Sequence, residues 1–271
     1  MTQMTAQAAQ ANQEMGIEPG ENRRRVLRWL WAPYTYLFYI PYLAISTLIM
    51  GIIAVFICLF SARVAFHMGT IWSWLLCRMT FVWVSVRGRQ NAVKGQSYII
   101  MSNHQSHFDI LAFYGHWGRQ FRWVMKEVLR KVPGLGWYCS AGGHVFIDRS
   151  SREKSIESLQ KAKPLLKGGV SVVFFPEGTR SDNGRMLPFK KGGFMTALQF
   201  GLPILPVSIS GSRHVLPNRT LNLLPGKINI RIHQPIDTAS YDENSRAELM
   251  QEVRKAIASG LTPWERGQTG S

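Results

Sequence analysis

One short stretch of the chain carries the side chains needed for acid–base chemistry: Asn103-His104-Gln105-Ser106-His107-Phe108-Asp109. An apolar run over 98–102 precedes it and a helical pattern starts near Asp109, so it occupies a turn between a strand and a helix. Ligand sites collect at the carboxyl ends of strands in α/β sheets. Across such a turn the Asp109 carboxylate can fold back onto the His104 imidazole, orient it and stabilise its protonated form. The stretch contains the base and the orienting acid of a catalytic triad.

Two other interpretations of this stretch are open. His104, His107 and Asp109 could bind a metal, although no HExxH motif or clustered third histidine accompanies them. Alternatively, Asp109 could simply cap the helix while the histidines fill space. His107 is the weaker candidate base because it lies too near Asp109 for an easy return contact. The chain has no G-x-S-x-G or reactive-cysteine motif, so the nucleophile would be a hydroxyl of the substrate.

A second stretch, FPEGTRS at 175–181, has the features of a phosphate site and follows a buried strand pattern. Gly178 permits a tight turn, and the Arg180 guanidinium offers a fork of donors to phosphate oxygens. Glu177 could hold that guanidinium or accept a hydrogen bond from a hydroxyl. Two cations, Lys190 and Lys191, follow and would widen the positive field. The alternative is a polar turn with a surface ion pair.

Two further cations precede this stretch. Lys126 stands before the Pro/Gly turn of KEVLRKVPGLGW, and Arg149 ends the strand-like HVFIDR. Arg149 is the stronger candidate because the carboxyl end of a strand is where ligands bind. Both could instead be ordinary surface cations.

The charge of the chain indicates an anionic partner. Its net charge is +16, and no Asp or Glu lies between Glu21 and Asp109. The cations of that span flank long apolar and aromatic runs, whereas a nucleic-acid binder scatters them over a polar face. We therefore expect an anionic phospholipid membrane as partner and no nucleic acid. Three cysteines without a CxxC pair argue against a disulfide framework or a structural zinc site.

The apolar run near the start of the chain could enter a membrane. Residues 29–62 contain no charged side chain, which is more than the ~20 apolar residues that one membrane span needs. Pro33, Pro41 and Gly51 interrupt it. Within this run, a single tilted span over 37–60 and a hairpin of two short helices that dips into one leaflet and returns are both compatible with the pattern. Cations at both ends favour the hairpin of short helices. A buried hairpin of a soluble core is the alternative. The Trp-rich stretch 64–84 suits a helix at the headgroup level or a core helix.

After residue 84 strand-like and helix-like patterns alternate, which predicts an α/β fold with a mainly parallel or mixed central sheet flanked by helices. The predicted strands are Trp83–Arg87, Tyr98–Ser102, His144–Ile147, Val170–Phe175, Ile204–Ser210 and Ile228–His233. The predicted helices are Asp109–His116, Arg152–Leu166, Gly193–Phe200 and Asp242–Ala258. The domain boundaries follow: a polar, disordered terminus at 1–25, a membrane-associated helical segment at 26–83, an α/β domain at 84–260 and a tail at 261–271.

Four blocks in this order resemble the 1-acylglycerol-3-phosphate acyltransferase family: NHQSHFD, KEVLRKVPGLGW with FIDR, FPEGTRS, and LPILPVSISG. The resemblance covers about residues 86–211. It implies transfer of an acyl chain from an acyl carrier protein or coenzyme A thioester to the sn-2 hydroxyl of lysophosphatidic acid. The same blocks also serve enzymes that acylate glycerol-3-phosphate, other lysophospholipids or amino-acid-containing lipids.

The resemblance also implies roles for individual residues. His104 is the general base and Asp109 its orienting partner. Lys126, Arg149, Glu177, Gly178 and Arg180 bind the glycerophosphate acceptor, and Pro206 shapes the acyl site. No cofactor and no metal are expected, because the acyl thioester is a co-substrate. The enzyme would lie on the cytoplasmic face of an inner membrane. A thioesterase and a non-catalytic membrane scaffold are the alternatives from other functional classes.

Overall fold

Seven strands form a mixed sheet in the order β1-β7-β6-β2-β5-β3-β4. The computed structural model describes residues 18, 20–148, 151–166 and 168–267. The strands are β1 (Val82–Arg87), β2 (Ile99–Ser102), β3 (Phe121–Lys126), β4 (Val145–Ile147), β5 (Ser171–Phe174), β6 (Ile204–Ser210) and β7 (Gly226–Ile232). The five adjacent strands β6, β2, β5, β3 and β4 run parallel to one another. Strand β7 is antiparallel to β6 and parallel to β1. The predicted mixed α/β sheet is confirmed.

Helices cover both faces of this sheet. They are α1 (Glu21–Tyr34), α2 (Ile40–Cys58), α3 (Ala62–Met79), α4 (Phe108–Trp117), α5 (Leu135–Ala141), α6 (Arg152–Ala162), α7 (Gly192–Phe200), α8 (Ser212–Val215), α9 (Arg246–Ser259) and α10 (Pro263–Arg266). Successive residues of the central strands point to opposite faces. Ile100, Val173 and Leu205 therefore pack in the core beneath α3 and α4. Ile99, Val172 and Ile204 pack in the core beneath α7 and α9.

Every predicted strand has a counterpart among these elements, but β3 was not predicted. Its sequence, FRWVMK, carries Arg122 and Lys126 and lacks the continuous apolar character of the central strands. The strand forms because its main chain pairs with β5 over 121–123 and with β4 over 124–126. Because these partners lie at residues 171–173 and 145–147, the pairing cannot be predicted from the sequence of β3 itself.

The prediction of two short helices within 29–62 is wrong, because one continuous helix runs through that stretch as far as Cys58. A hairpin does form, but its second arm is the next helix, α3. α1, a π-helical stretch at Thr35–Tyr39 and α2 run on as one helix of 38 residues, Glu21–Cys58. Pro33 lies inside α1 and Pro41 in the first turn of α2, so neither ends the helix. The π-helical stretch between them changes the hydrogen-bonding register and absorbs the disruption. The chain reverses at 59–61, and α3 then packs along α2.

The helix Glu21–Cys58 is long and apolar enough to cross a membrane by length and composition alone. It starts at Glu21, so residues 21–25 are helical although the sequence predicted them to be disordered. The rest of that predicted terminus, apart from Glu18 and Gly20, lies outside the described residues.

α3 joins the hairpin to the sheet. Its buried face, with Phe66, Gly69 and Leu76, packs on α4, while Ile71 and Trp74 on its other face stay exposed. α2 docks on α5, where Gly51 and Gly134 bring two backbones into contact; a Cβ at Gly51 would overlap the Gly134 main chain. The helical segment is therefore continuous with the core of the α/β domain. Of the stretch 64–84, the helix ends at Met79 and the last residues belong to β1.

Candidate active site

The turn after β2 holds the imidazole of His104 against the carboxylate of Asp109. His104 Nδ1 lies 2.8 Å from Asp109 Oδ2, at the start of α4. The same oxygen accepts the backbone N–H groups of Gln105 at 2.7 Å and Ser106 at 2.8 Å. Asp109 is fully buried, and the N-terminal end of a helix favours its negative charge. One carboxylate oxygen therefore shapes the turn and orients the ring.

The His104 ring is fixed on a second side by Phe175, the residue that follows β5. The two rings stack with their centroids 3.8 Å apart and their planes 10° apart. Only 12% of the His104 side chain is exposed. Because Nδ1 is engaged by Asp109, Nε2 is the nitrogen that can take a proton from a substrate.

Glu177 ties the stretch after β5 to this turn. Its Oε1 accepts the backbone N–H of His104 and its Oε2 that of Leu187, both at 2.8 Å. The Ser181 N–H donates in turn to the His104 carbonyl at 2.9 Å. Burial raises the pKa of Glu177 to about 8, although the two N–H donors oppose that shift. The expectation that Glu177 would hold Arg180 is wrong in this structure, because its two oxygens serve the main chain.

Arg180 and Gly178 lie at the same edge. Burial lowers the pKa of the half-buried Arg180, and the charges of Asp109 and Asp182 act against that shift. Arg180 directly precedes Ser181, whose N–H donates to the His104 carbonyl, so Arg180 is one residue away along the chain from a contact with the catalytic turn. Burial and the Arg180 charge together lower the pKa of His107 to about 4, so His107 is neutral at physiological pH. Gly178 has φ +73°, and a Cβ there would lie 3.0 Å from the Lys190 ammonium, which folds over the turn. The structure therefore places Arg180 next to a residue that contacts the His104 main chain, and places the Lys190 ammonium over the turn at Gly178.

Three further residues were predicted to bind substrate: Lys126, Arg149 and Pro206. Lys126 is exposed at the carboxyl end of β3, on the same edge of the sheet as His104. Arg149 lies outside the described residues. Pro206 lies within β6 opposite Met101 of β2, and its carbonyl accepts the His233 N–H at 3.0 Å. These contacts of Pro206 belong to the sheet.

Asn103 supports the site and was not predicted as a functional residue. Its Nδ2 donates to the Ile209 carbonyl and its Oδ1 accepts the Ile209 N–H, both at 2.8 Å. The fully buried amide therefore fastens the catalytic turn to β6. Phe175 was missed as well. In the sequence, each of these two residues is marked only by its position next to the end of a strand. Their partners, Ile209 for Asn103 and His104 for Phe175, are more than seventy residues away in the chain.

Within the described parts of the chain, no group of three or more His, Cys, Asp or Glu side chains converges in a way that could hold a metal. His104 and Asp109 form a pair without a third such ligand. The arrangement can remove a proton from a hydroxyl and stabilise the resulting imidazolium.

Comparisons with known proteins identify the family of this chain. Residues 83–210 match the family model described as Acyltransferase. The crystal structure of the 1-acyl-sn-glycerophosphate (LPA) acyltransferase PlsC from Thermotoga maritima superposes with a TM-score of 0.72 at 31% identity, covering 88% of this chain and 95% of that one. The chain belongs to the 1-acylglycerol-3-phosphate acyltransferase family.

Curated members of the family are similar over a shorter part of their length. A 1-acyl-sn-glycerol-3-phosphate acyltransferase of Chlamydomonas reinhardtii is 32% identical over 206 residues, 74% of this chain and 60% of that protein. The 1-acyl-sn-glycerol-3-phosphate acyltransferase of Saccharomyces cerevisiae is 35% identical over 185 residues, 66% of this chain and 59% of that protein. The chain therefore spans about three fifths of the length of these relatives.

Proposed function

We propose that this acyltransferase-family chain transfers a fatty acyl chain from an acyl carrier protein or coenzyme A thioester to the sn-2 hydroxyl of 1-acyl-glycerol-3-phosphate, giving phosphatidic acid. The observation that carries the proposal is the contact between His104 Nδ1 and Asp109 Oδ2 at 2.8 Å. Relatives named for this activity support the choice of acceptor.

The reaction follows from the arrangement of these groups. His104 Nε2 takes the proton of the acceptor hydroxyl as its oxygen attacks the thioester carbonyl. The C–S bond then breaks, and the departing thiolate recovers the proton from the imidazolium, so one ester and one thiol form without an acyl-enzyme. General base catalysis contributes ~10²–10⁴-fold, and positioning together with donors to the oxyanion supplies the rest.

The acceptor phosphate is held by cations at the same edge of the sheet. Arg180 is the primary phosphate ligand, because the next residue, Ser181, donates its N–H to the His104 carbonyl. Lys126 extends the positive edge at the end of β3. The family resemblance assigns Arg149 to the same phosphate. Gly178 has φ +73° and no side chain, so the Lys190 ammonium can lie close to the main chain of this turn and add its charge to the phosphate site. Pro206 shapes the acyl site from within β6, and Glu177 contributes through the main chain of His104.

The hairpin of α1, α2 and α3 is proposed to hold the enzyme on the cytoplasmic face of an inner membrane. Phe38, Phe56, Leu59 and Phe60 are each more than 60% exposed on it, an extent of apolar surface that is typical of membrane contact. The tip of the hairpin, Leu59 and Phe60, would enter one leaflet, and Arg63 beside it would meet anionic headgroups. In this arrangement residues 26–83 anchor the α/β domain of 84–260.

The test is thiol release from an acyl thioester by purified protein in detergent, with and without lysophosphatidic acid. Acceptor-dependent release that yields phosphatidic acid is the expected result. His104→Ala should reduce it by ~10²–10⁴-fold, the contribution of a general base, while His107→Ala is the matched control and retains activity. Release without acceptor would identify a thioesterase. Turnover of His104→Ala within a few-fold of wild type would remove His104 as the base.

Acyl acceptors other than lysophosphatidic acid are the second possibility within the family, because its blocks also occur in enzymes for other acceptors. Glycerol-3-phosphate, lysophospholipids and amino-acid-containing lipids in the same assay distinguish them. Acyl carrier protein and coenzyme A thioesters, compared at equal concentration, identify the donor.

A further inference from the structure

The last helix of the described chain lies against the loop that follows the FPEGTR block. We call residues Thr262–Arg266 the C-terminal clamp and residues 181–187 the acceptor loop. The clamp contains a capping box, in which the Thr262 hydroxyl accepts the Glu265 N–H and the Glu265 carboxylate accepts the Thr262 N–H. Such a box stabilises even a very short helix, because it gives hydrogen-bond acceptors to the backbone N–H groups of both Thr262 and Glu265.

Glu265 does more than cap its own helix. Its side chain is buried, with 4% of the residue exposed. Oε2 accepts from the Ser210 hydroxyl at 2.7 Å, and Oε1 accepts the Gly211 N–H at 2.9 Å. Both partners lie at the carboxyl end of β6, so the clamp is anchored to the central sheet. A buried carboxylate needs such donors, since an unpaired one is costly.

The clamp holds the acceptor loop through three contacts. The Met186 N–H donates to the Glu265 carbonyl at 2.8 Å, and the Trp264 indole N–H donates to the Asn183 carbonyl at 2.9 Å. The Arg185 guanidinium lies over the Trp264 ring, 4.3 Å from its centroid. Arg254 of α9 adds hydrogen bonds to the carbonyls of Met186 and Leu187.

Both ends of the acceptor loop reach the main chain of the proposed base. Ser181 donates to the His104 carbonyl at 2.9 Å. Leu187 donates to Glu177, whose other oxygen accepts the His104 N–H. Arg180 immediately precedes the loop. Movement of the loop would therefore displace the phosphate ligand and loosen the backbone that carries the base.

We infer that Trp264 and Glu265 are positioning residues of the active site, which act by holding the acceptor loop. The kinetic consequences of this role rest on the proposed function. Neither residue touches the reacting atoms of the proposed reaction. Their effect passes through the loop to Arg180 and, through Glu177, to His104.

The test combines amide hydrogen exchange of the full-length protein with kinetics of Trp264→Leu and Glu265→Gln. Exchange in the acceptor loop should rise by about tenfold, the effect expected when one hydrogen bond is lost. The KM for lysophosphatidic acid should rise by about as much, since Arg180 is no longer held, while the KM for the thioester stays within about twofold. A loss of folded protein alone would lower the apparent kcat and leave both KM values unchanged.

Glu252→Gln removes an exposed carboxylate from α9 and is the matched control, with exchange and kinetics like wild type. Trp264→Phe removes only the indole donor and keeps a ring for Arg185, so it guards against misfolding of the stronger variants. It should still raise exchange in the acceptor loop. Unchanged exchange there in Trp264→Phe and in Trp264→Leu would overturn the inference. Absence of wild-type turnover with lysophosphatidic acid would overturn the proposed function instead, and the exchange result would still decide the role of the clamp.

Discussion

Asp109 Oδ2 accepts hydrogen bonds from the His104 ring and from two backbone N–H groups of the turn that carries that ring. The same atom therefore fixes the position of the base and its tautomer, with the proton on Nδ1. A helix capped by a carboxylate would need only the backbone contacts. The third contact, to the imidazole, is what gives the turn a catalytic geometry.

The first prediction concerns the charge of Asp109. Asp109→Asn keeps an oxygen for these donors but cannot stabilise an imidazolium, so kcat should fall by ~10²–10⁴-fold. The KM for lysophosphatidic acid should change little, because Asp109 does not contact the phosphate in the proposed mechanism. Steady-state kinetics of purified protein measure both. The exposed Asp237→Asn serves as control, and wild-type kcat in Asp109→Asn would contradict the role.

The second prediction tests the amide that fastens the catalytic turn to β6. Asn103→Leu preserves volume but leaves the buried N–H and carbonyl of Ile209 without partners. Unsatisfied buried groups cost ~1–3 kcal/mol each, so the loss of both partners should lower the free energy of unfolding by about 2–6 kcal/mol. Urea unfolding in detergent measures it. The exposed Asn222→Leu should stay near wild type, and equal stability of the two variants would refute the assignment.

The third prediction is a pH dependence. Burial raises the pKa of Glu177 from 4.5 to about 8. Between those values the unfolded chain has released a proton that the folded chain keeps, so this carboxyl lowers the free energy of unfolding as pH rises. Glu177→Gln has no such group. The melting temperature of the variant relative to wild type should therefore increase from about pH 5 to about pH 8. A pH-independent difference would show that Glu177 titrates normally.

The fourth prediction concerns the close contact that docks α2 on α5. A Cβ at Gly51 would overlap the main chain of Gly134, which cannot move aside as a flexible side chain would. Gly51→Ala should lower the free energy of unfolding by ~1–3 kcal/mol or more, the usual cost of overpacking. It should also expose the hairpin to limited proteolysis. Gly192→Ala is the control because a Cβ there meets no atom within 4 Å.

Local patterns predicted much of the catalytic turn. The spacing of His104 and Asp109 and the strand-to-helix transition around them are properties of seven consecutive residues, and the contact between them is short in sequence. The central strands were predicted for a similar reason, because burial on both faces makes Ile99–Ser102 and Ser171–Phe174 continuously apolar or small. β3 escaped prediction because pairing with β5 and β4, rather than its composition, makes it a strand.

The sequence by itself determined the α/β class, the His104–Asp109 pair and the apolar character of the first helices, since each depends on spacing or composition along the chain. Only the tertiary structure decided that Glu177 serves the His104 main chain rather than Arg180, and that the hairpin turns at 59–61. It also decided that Trp264 and Glu265 hold the acceptor loop. The physical reason is the sheet order, which places β2 between β6 and β5 and so brings together segments more than seventy residues apart.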